Sequence, residues 1–197
     1  DDCVGEVLAA LDAKGMADDT IFVFTSDHGD MLGSQGERWK QRPWDESIRV
    51  PFLLRWPARY GRKGRDVPAL LDAPDLLPTL LALCGIPAPA GVEGKDFSAC
   101  LEGGPDPSGG AGLIACYHPF GQWPAAKGGR EYRGLRTLRH TYVRTLQGPW
   151  LLYDNEADPF QQRNLVDDPA HAALRDELDA RLQARLKEMK DEFLPGT

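Results

Sequence analysis

Thr20-Ile21-Phe22-Val23-Phe24-Thr25-Ser26-Asp27-His28-Gly29-Asp30 is the stretch that decides the reading. Its first part is an unbroken β-branched and aromatic run, which reads as a strand buried on both faces, the signature of a parallel sheet. The polar residues follow at the carboxyl end of that strand, where open parallel sheets bind their ligands. A carboxylate beside an imidazole, ahead of a glycine that lets backbone approach closely, suits a hard or borderline divalent metal. An Asp27 that caps a turn and a His28 that makes a structural hydrogen bond account for the same residues.

Upstream, Val4, Val7, Leu8 and Leu11 recur at helical spacing, and Lys14-Gly15 gives a stop. This helix opens without a cap and reads as one cut from a longer protein. Downstream, Val50 to Trp56 is a second buried-strand candidate ended by Pro57, and the polar stretch from Asp30 to Arg49 joins the two. A connection of this length inside a compact domain is usually functional. It holds Lys40, flanked by Arg38, Trp39 and Arg42. Near a metal, such an ammonium gathers a tetrahedral oxyanion; a solvated surface lysine is the ordinary alternative.

Further along, Asp75 caps a short leucine-rich helix through Leu83, and residues 85–112 are rich in Gly, Pro and Ala. Residues 113–118, 132–139, 141–147 and 150–154 read as an antiparallel meander, with Gly148-Pro149 as a tight turn. Arg133, Arg136, Arg139 and Arg144 alternate with apolar residues there and read as a solvated face. Leu174, Leu178, Leu182 and Leu186, with Met189 beside them, mark one face of a closing helix. The fold class is therefore α/β: part of a mixed, mostly parallel sheet flanked by helices, then a small antiparallel sheet with a C-terminal helix. The expected division is residues 1–110 and residues 111–197.

Composition narrows the function. The 197 residues carry a net charge of −7, which argues against nonspecific nucleic-acid binding through phosphate neutralisation. No apolar run reaches the roughly 20 residues of a membrane span. Cys3, Cys84, Cys100 and Cys116 have no CxxC spacing, so neither zinc nor dithiol chemistry is indicated. The 21 glycines and 16 prolines exceed ordinary usage and imply long, shaped loops.

Thr25 to Gly36, then Lys40, then Trp44-Asp45-Glu46-Ser47-Ile48-Arg49-Val50-Pro51, resembles the C-terminal half of the sulfatase family, within the alkaline-phosphatase superfamily of metallohydrolases. Arg55-Trp56-Pro57, Asp75 to Leu81, Gly85-Ile86-Pro87 and the run from Leu152 through Asp158-Pro159-Phe160 to Asn164-Leu165 agree in the same order. The resemblance implies that Asp27 and His28 are metal ligands, with His28 alternatively an active-site hydrogen-bond partner. It implies that Lys40 contacts the sulfate oxygens and offsets charge on the leaving oxygen. The metal would be Ca2+, with Mn2+ or Mg2+ in some relatives. His118, in a Gly/Pro/Trp-rich loop that runs to Gly129, is a further candidate for touching substrate, with packing against its aromatic neighbours as the alternative.

Two departures stand out: the family's usual His and Gly before the lysine are replaced by Gln35 and Trp39. The family nucleophile is a formylglycine made from a Cys or Ser heading a Cys/Ser-x-Pro/Ala-x-Arg motif, and no cysteine here heads one. The resemblance thus implies a C-terminal fragment whose nucleophile and remaining metal-binding aspartates lie outside this chain. Its partner would be the rest of the enzyme and its substrate a small sulfate ester. A phosphonate monoester or phosphodiester hydrolase of the same superfamily is the alternative, and a noncatalytic binding or structural module is a third reading.

Overall fold

The computed structural model describes residues 1–193, which pack as two compact units. The first comprises Asp1–Asp27 and Val50–Asp66, the second His28–Arg49 and everything from Val67 onward. The expected boundary at residues 110/111 falls inside the second unit.

In the first unit, helix α1 (Asp2–Ala13) turns Val4, Leu8 and Leu11 to its half-buried side. Gly15 closes it at φ 66°, with Gly15 N–H donating to the Asp12 carbonyl and Met16 N–H to that of Leu11. This is the left-handed termination that glycine adopts without penalty. Strand β1 (Phe22–Thr25) pairs with β2 (Phe52–Arg55), Phe22 opposite Arg55 and Thr25 opposite Phe52, and helix α3 (Pro57–Tyr60) follows. The pairing is antiparallel. An antiparallel pair is one that a mixed sheet contains: an apolar run reports burial and carries no information on the direction of its neighbour. Burial is also less than expected, since Phe24 and Leu53 are exposed.

The second unit is built on a four-stranded antiparallel meander of β3 (Ala111–Cys116), β4 (Tyr132–Thr137), β5 (His140–Thr145) and β6 (Gly148–Asp154), in that order. Alternation sends its side chains to two cores. Leu135, Tyr142 and Leu152 pack against Leu178, Leu182 and Leu186 of helix α5 (Ala172–Glu188). Ile114, Tyr132, Val143, Leu151 and Tyr153 form the opposite core with Trp123, and Trp44 and Ile48 lie against it. Trp44 and Ile48 belong to the His28–Arg49 loop, which includes the short helix α2 (Asp45–Ile48). The candidate loop is therefore a lid on one sheet face, as α5 is on the other. Met189, expected beside the leucines, is the C-cap of α5 and is exposed.

The arginines of the meander are not a solvated face. Arg133, with 3% of its side chain exposed, bonds Asp191 and Glu131, and its guanidinium lies 3.9 Å from the centre of the Tyr117 ring. Arg144 stands directly opposite Arg133 in the ladder and bonds Asp179, which also accepts from the Tyr142 hydroxyl at 2.7 Å. Like charges face to face are unfavourable, and here each has its own carboxylate. Arg136 forks onto Asp45, and Arg139 alone of the four is exposed, paired with Asp154. The aspartates that meet Arg133, Arg136 and Arg144 lie 58, 91 and 35 residues away in sequence, beyond the reach of a local pattern.

Helix α4 (Leu76–Leu83) is tied to β3 through Asp72, which accepts from Leu113 N–H at 3.1 Å. The ends meet closely: a Cβ on Gly112 would lie 2.5 Å from Asp72 Oδ1. Burial, with the charge of Asp75 adding to it, pushes the Asp72 carboxyl up to about 6, against the Leu113 hydrogen bond that lowers it. Folding thus favours the protonated acid. Its stabilising contribution is full below the ordinary value of 3.8 and is lost as pH rises through about 6.

Two outcomes follow. Leu182→Ala empties a fully buried position on α5 and lowers unfolding free energy by about 2–5 kcal/mol in urea titration. Asp72→Asn removes a component of stability that declines between pH 4 and 7 by up to roughly 3 kcal/mol. The check is thermal unfolding across that range, and a parallel decline in both proteins would exclude Asp72 as its source.

Candidate functional site

Asp27 follows β1 and ends the first of the two segments of the first unit; its carboxylate is exposed and accepts from the Ser26 hydroxyl at 3.4 Å. One peptide bond later the His28–Arg49 loop begins, and its geometry is set within the second unit. Gly29 N–H donates to the Ser47 carbonyl at 2.9 Å, pinning the base of the loop. A Cβ at Gly29 would fall 1.9 Å from the Glu46 carbonyl oxygen, so only glycine fits. Asp30 Oδ1 accepts from Leu32 and Trp39 N–H, and Met31 N–H donates to the Trp39 carbonyl. These bonds fold the loop back so that its far arm returns beside His28.

Lys40 Nζ lies 2.9 Å from His28 Nε2, and His28 Nδ1 lies 2.7 Å from the Gly29 carbonyl oxygen. A carbonyl only accepts, so Nδ1 carries the ring proton, and Nε2 accepts from the ammonium. The imidazole is neutral and oriented by its own neighbour. It steers the lysine head while leaving the positive charge uncancelled.

The backbone at Lys40 is strained. Trp39 and Gln41 on either side have φ of 69° and 73°, left-handed values that cost a side-chain-bearing residue roughly 1–2 kcal/mol each. The glycine that the resemblance places before the lysine thus answers a backbone requirement, which Trp39 meets under strain. Gln35, the other departure, has a structural part: its Nε2 donates to the carbonyls of Phe160 and Gln161.

Gln161 went unnoticed in the sequence, yet it is 1% exposed and organises the loop from behind. Its Oε1 accepts from Asp45 N–H at 2.9 Å, and its Nε2 reaches Thr141 Oγ1 and Asn155 Oδ1. Its place within the motif running from Asp158 to Asn164 was the available signal. Arg42, noted only as a flank of Lys40, is also buried. His118 is exposed at the start of the β3–β4 loop and shares no hydrogen bond with Lys40. An open cleft of about 570 Å³ in the second unit, lined by Tyr117, Glu131, Arg133 and Asp191 among others, includes none of Asp27, His28, Lys40 or His118.

Among the described residues no three His, Cys, Asp or Glu side chains converge as a metal site. Asp27 offers one exposed hard oxygen donor, the type that Ca2+, Mg2+ and Mn2+ take. In the arrangement seen, both His28 nitrogens are already engaged. The chain's own residues therefore fit as part of a donor set, with Asp27 its member.

A family model described as "N-sulphoglucosamine sulphohydrolase, C-terminal" matches residues 35–189. The ulvan-active sulfatase of Formosa agariphila is 44% identical over 197 residues, covering 98% of this chain and 38% of that protein. The solved structure of a 2-O GAG sulfatase superposes with a TM-score of 0.80 at 28% identity, covering 96% of this chain and 41% of the other. The phosphonate monoester hydrolase of Agrobacterium radiobacter superposes with a TM-score of 0.76 at 30% identity, covering 91% and 37%. The chain spans about two-fifths of the length of these relatives.

Gly29→Ala forces the Glu46 carbonyl away and opens the base of the loop. The expected cost is about 1–3 kcal/mol of stability, read as a lowered melting temperature; an unchanged value would show that the close approach does not hold the loop.

Proposed function

The chain belongs to the sulfatase family, in the part that the family's C-terminal model describes, and from that premise we propose that it forms one wall of the active site of a metal-dependent sulfate-ester hydrolase. The observation that carries the proposal is the Lys40 ammonium, steered by a neutral His28 at 2.9 Å. The nucleophile, a formylglycine, belongs to a part of the enzyme outside this chain.

The roles follow from the chemistry of each group. Lys40 has three N–H donors. One is committed to His28, and two remain for a sulfate oxygen and the leaving oxygen, where negative charge grows as the S–O bond breaks. His28 is an orienting group: with Nδ1–H held by the Gly29 carbonyl, its Nε2 keeps the ammonium from swinging into solvent. Asp27 would hold a divalent cation, Ca2+ in the first place and Mn2+ or Mg2+ as alternatives, together with donors from outside the chain. When bound, that cation withdraws charge from the ester oxygens. His118 is exposed on the β3–β4 loop and is assigned contact with distal parts of the substrate. The relative at 44% identity is named for activity on ulvan, which favours a sulfated carbohydrate as substrate.

The likeness to a phosphonate monoester hydrolase at 30% identity favours a second reading, in which the same groups serve a phosphoryl centre. Assays of the full-length enzyme on sulfated oligosaccharides, an aryl sulfate and an aryl phosphodiester separate the two. Sulfatase activity is expected to dominate, and Lys40→Ala is expected to lower kcat/KM on the order of 10²-fold. Phosphodiester hydrolysis without sulfatase activity would establish the second reading instead.

A further inference from the structure

We propose that Arg42 is a positioning residue for the Lys40 ammonium and that the β3–β4 loop, through Trp123, holds it in place. This inference rests on the role given above to Lys40. Arg42 Nη1 donates to the Lys40 carbonyl oxygen at 2.7 Å, while Nε and Nη2 both bond Glu37 Oε2, at 3.0 and 2.8 Å. The guanidinium lies 4.7 Å from the centre of the Trp123 ring, a cation–π distance. Trp123 is itself buried, packed against Tyr132 and stacked on Trp150. Tyr132 adds a second tether, its hydroxyl donating to the Gln41 carbonyl at 3.3 Å.

Consecutive carbonyls, those of Lys40 and Gln41, are thus each held by a side chain fixed elsewhere. This is what a backbone with left-handed residues on both sides of Lys40 requires, because strained conformations persist only where the surroundings over-determine them. An arginine is suited to the task and a lysine is not: the planar fork bonds carboxylate and carbonyl together while its face rests on an indole. The charge of Arg42 is met by Glu37, so its effect on the reaction passes through the place of Lys40 and not through its own field. Trp123 lies in the same Gly/Pro/Trp-rich loop as His118, and in this reading it is the indole, not the imidazole, that links the loop to the chemistry.

The test uses the full-length enzyme and a series of aryl sulfates with leaving phenols of rising pKa. Wild type, Arg42→Gln, Lys40→Ala and the double variant are compared by kcat/KM. Displacing a catalytic group by about 1 Å can cost on the order of 100-fold, so Arg42→Gln is expected to lose about 10- to 100-fold. The loss should grow with the pKa of the leaving phenol, as it does for Lys40→Ala. In the Lys40→Ala background the Arg42 change should cost less than about 2-fold. A loss equal for all phenols, or one retained in full without Lys40, would show Arg42 to be only a structural residue. Lys40→Ala without effect would overturn the role of Lys40 as well. Should Arg42→Gln fail to fold, Trp123→Leu keeps the arginine and removes its platform. A smaller loss with the same dependence on the phenol supports the proposal, and a flat one overturns it.

Discussion

A half-buried ion pair between the sheet and the loop is the constraint on which the loop depends. Arg136 of β4 forks onto Asp45 with two bonds of 2.8 Å, and both side chains are 14% exposed. Such a pair contributes little net stability over a well-packed apolar pair, yet removing one partner leaves a partly desolvated charge unpaired, which is costly. Its consequence here is geometric. Asp45 opens α2, whose N–H is also held by Gln161, and α2 brings Trp44 and Ile48 onto the apolar face of the meander. The loop from His28 to Arg49 therefore cannot lift without leaving a guanidinium and a tryptophan face uncovered. The sheet with its terminal helix is the foundation on which His28 and Lys40 stand.

Charge follows the same logic. The chain is acidic overall, with 30 carboxylates against 23 lysines and arginines, an unpromising total for binding an anion. Within the loop, however, the cations are treated differently. Arg42 is matched by Glu37, and Arg49 lies 3.7 Å from Asp45. Lys40 is bonded to an imidazole that cannot cancel its charge. Arg42, neutralised by Glu37, holds the frame while the lysine keeps its field, and at hydrogen-bond range an ammonium outweighs distant, screened carboxylates.

How much of this was legible depends on the distance over which each feature is encoded. The strand before Asp27, the meander and the leucine face of α5 are written in local periodicity, and each was found near its expected place. The proposal for Asp27, His28 and Lys40 likewise rests on strand-end position and motif order, which are local. The direction of β2 was not legible, since an apolar strand is the same sequence in either orientation. The arginine face was misread for a related reason. Alternation says which side a residue faces, and only the carboxylates Asp191, Asp45 and Asp179, remote in sequence, decide whether that side is wet.

Trp39 shows what a departure from a family pattern can report. At that place glycine is favoured because the backbone is left-handed, and a tryptophan at φ 69° with its ring half exposed keeps the conformation at a cost. The loop must then hold that residue from outside, through the Asp30 carboxylate on Trp39 N–H, Arg42 on the carbonyl of Lys40 and Tyr132 on that of Gln41. Gln35, the second departure, is absorbed in the same way, by the carbonyls of the turn after β6. A pattern of conformational needs, rather than of residue names, is what the loop retains. The two substitutions that set this chain apart from the pattern therefore leave the Lys40 head beside His28, and they change what surrounds it instead.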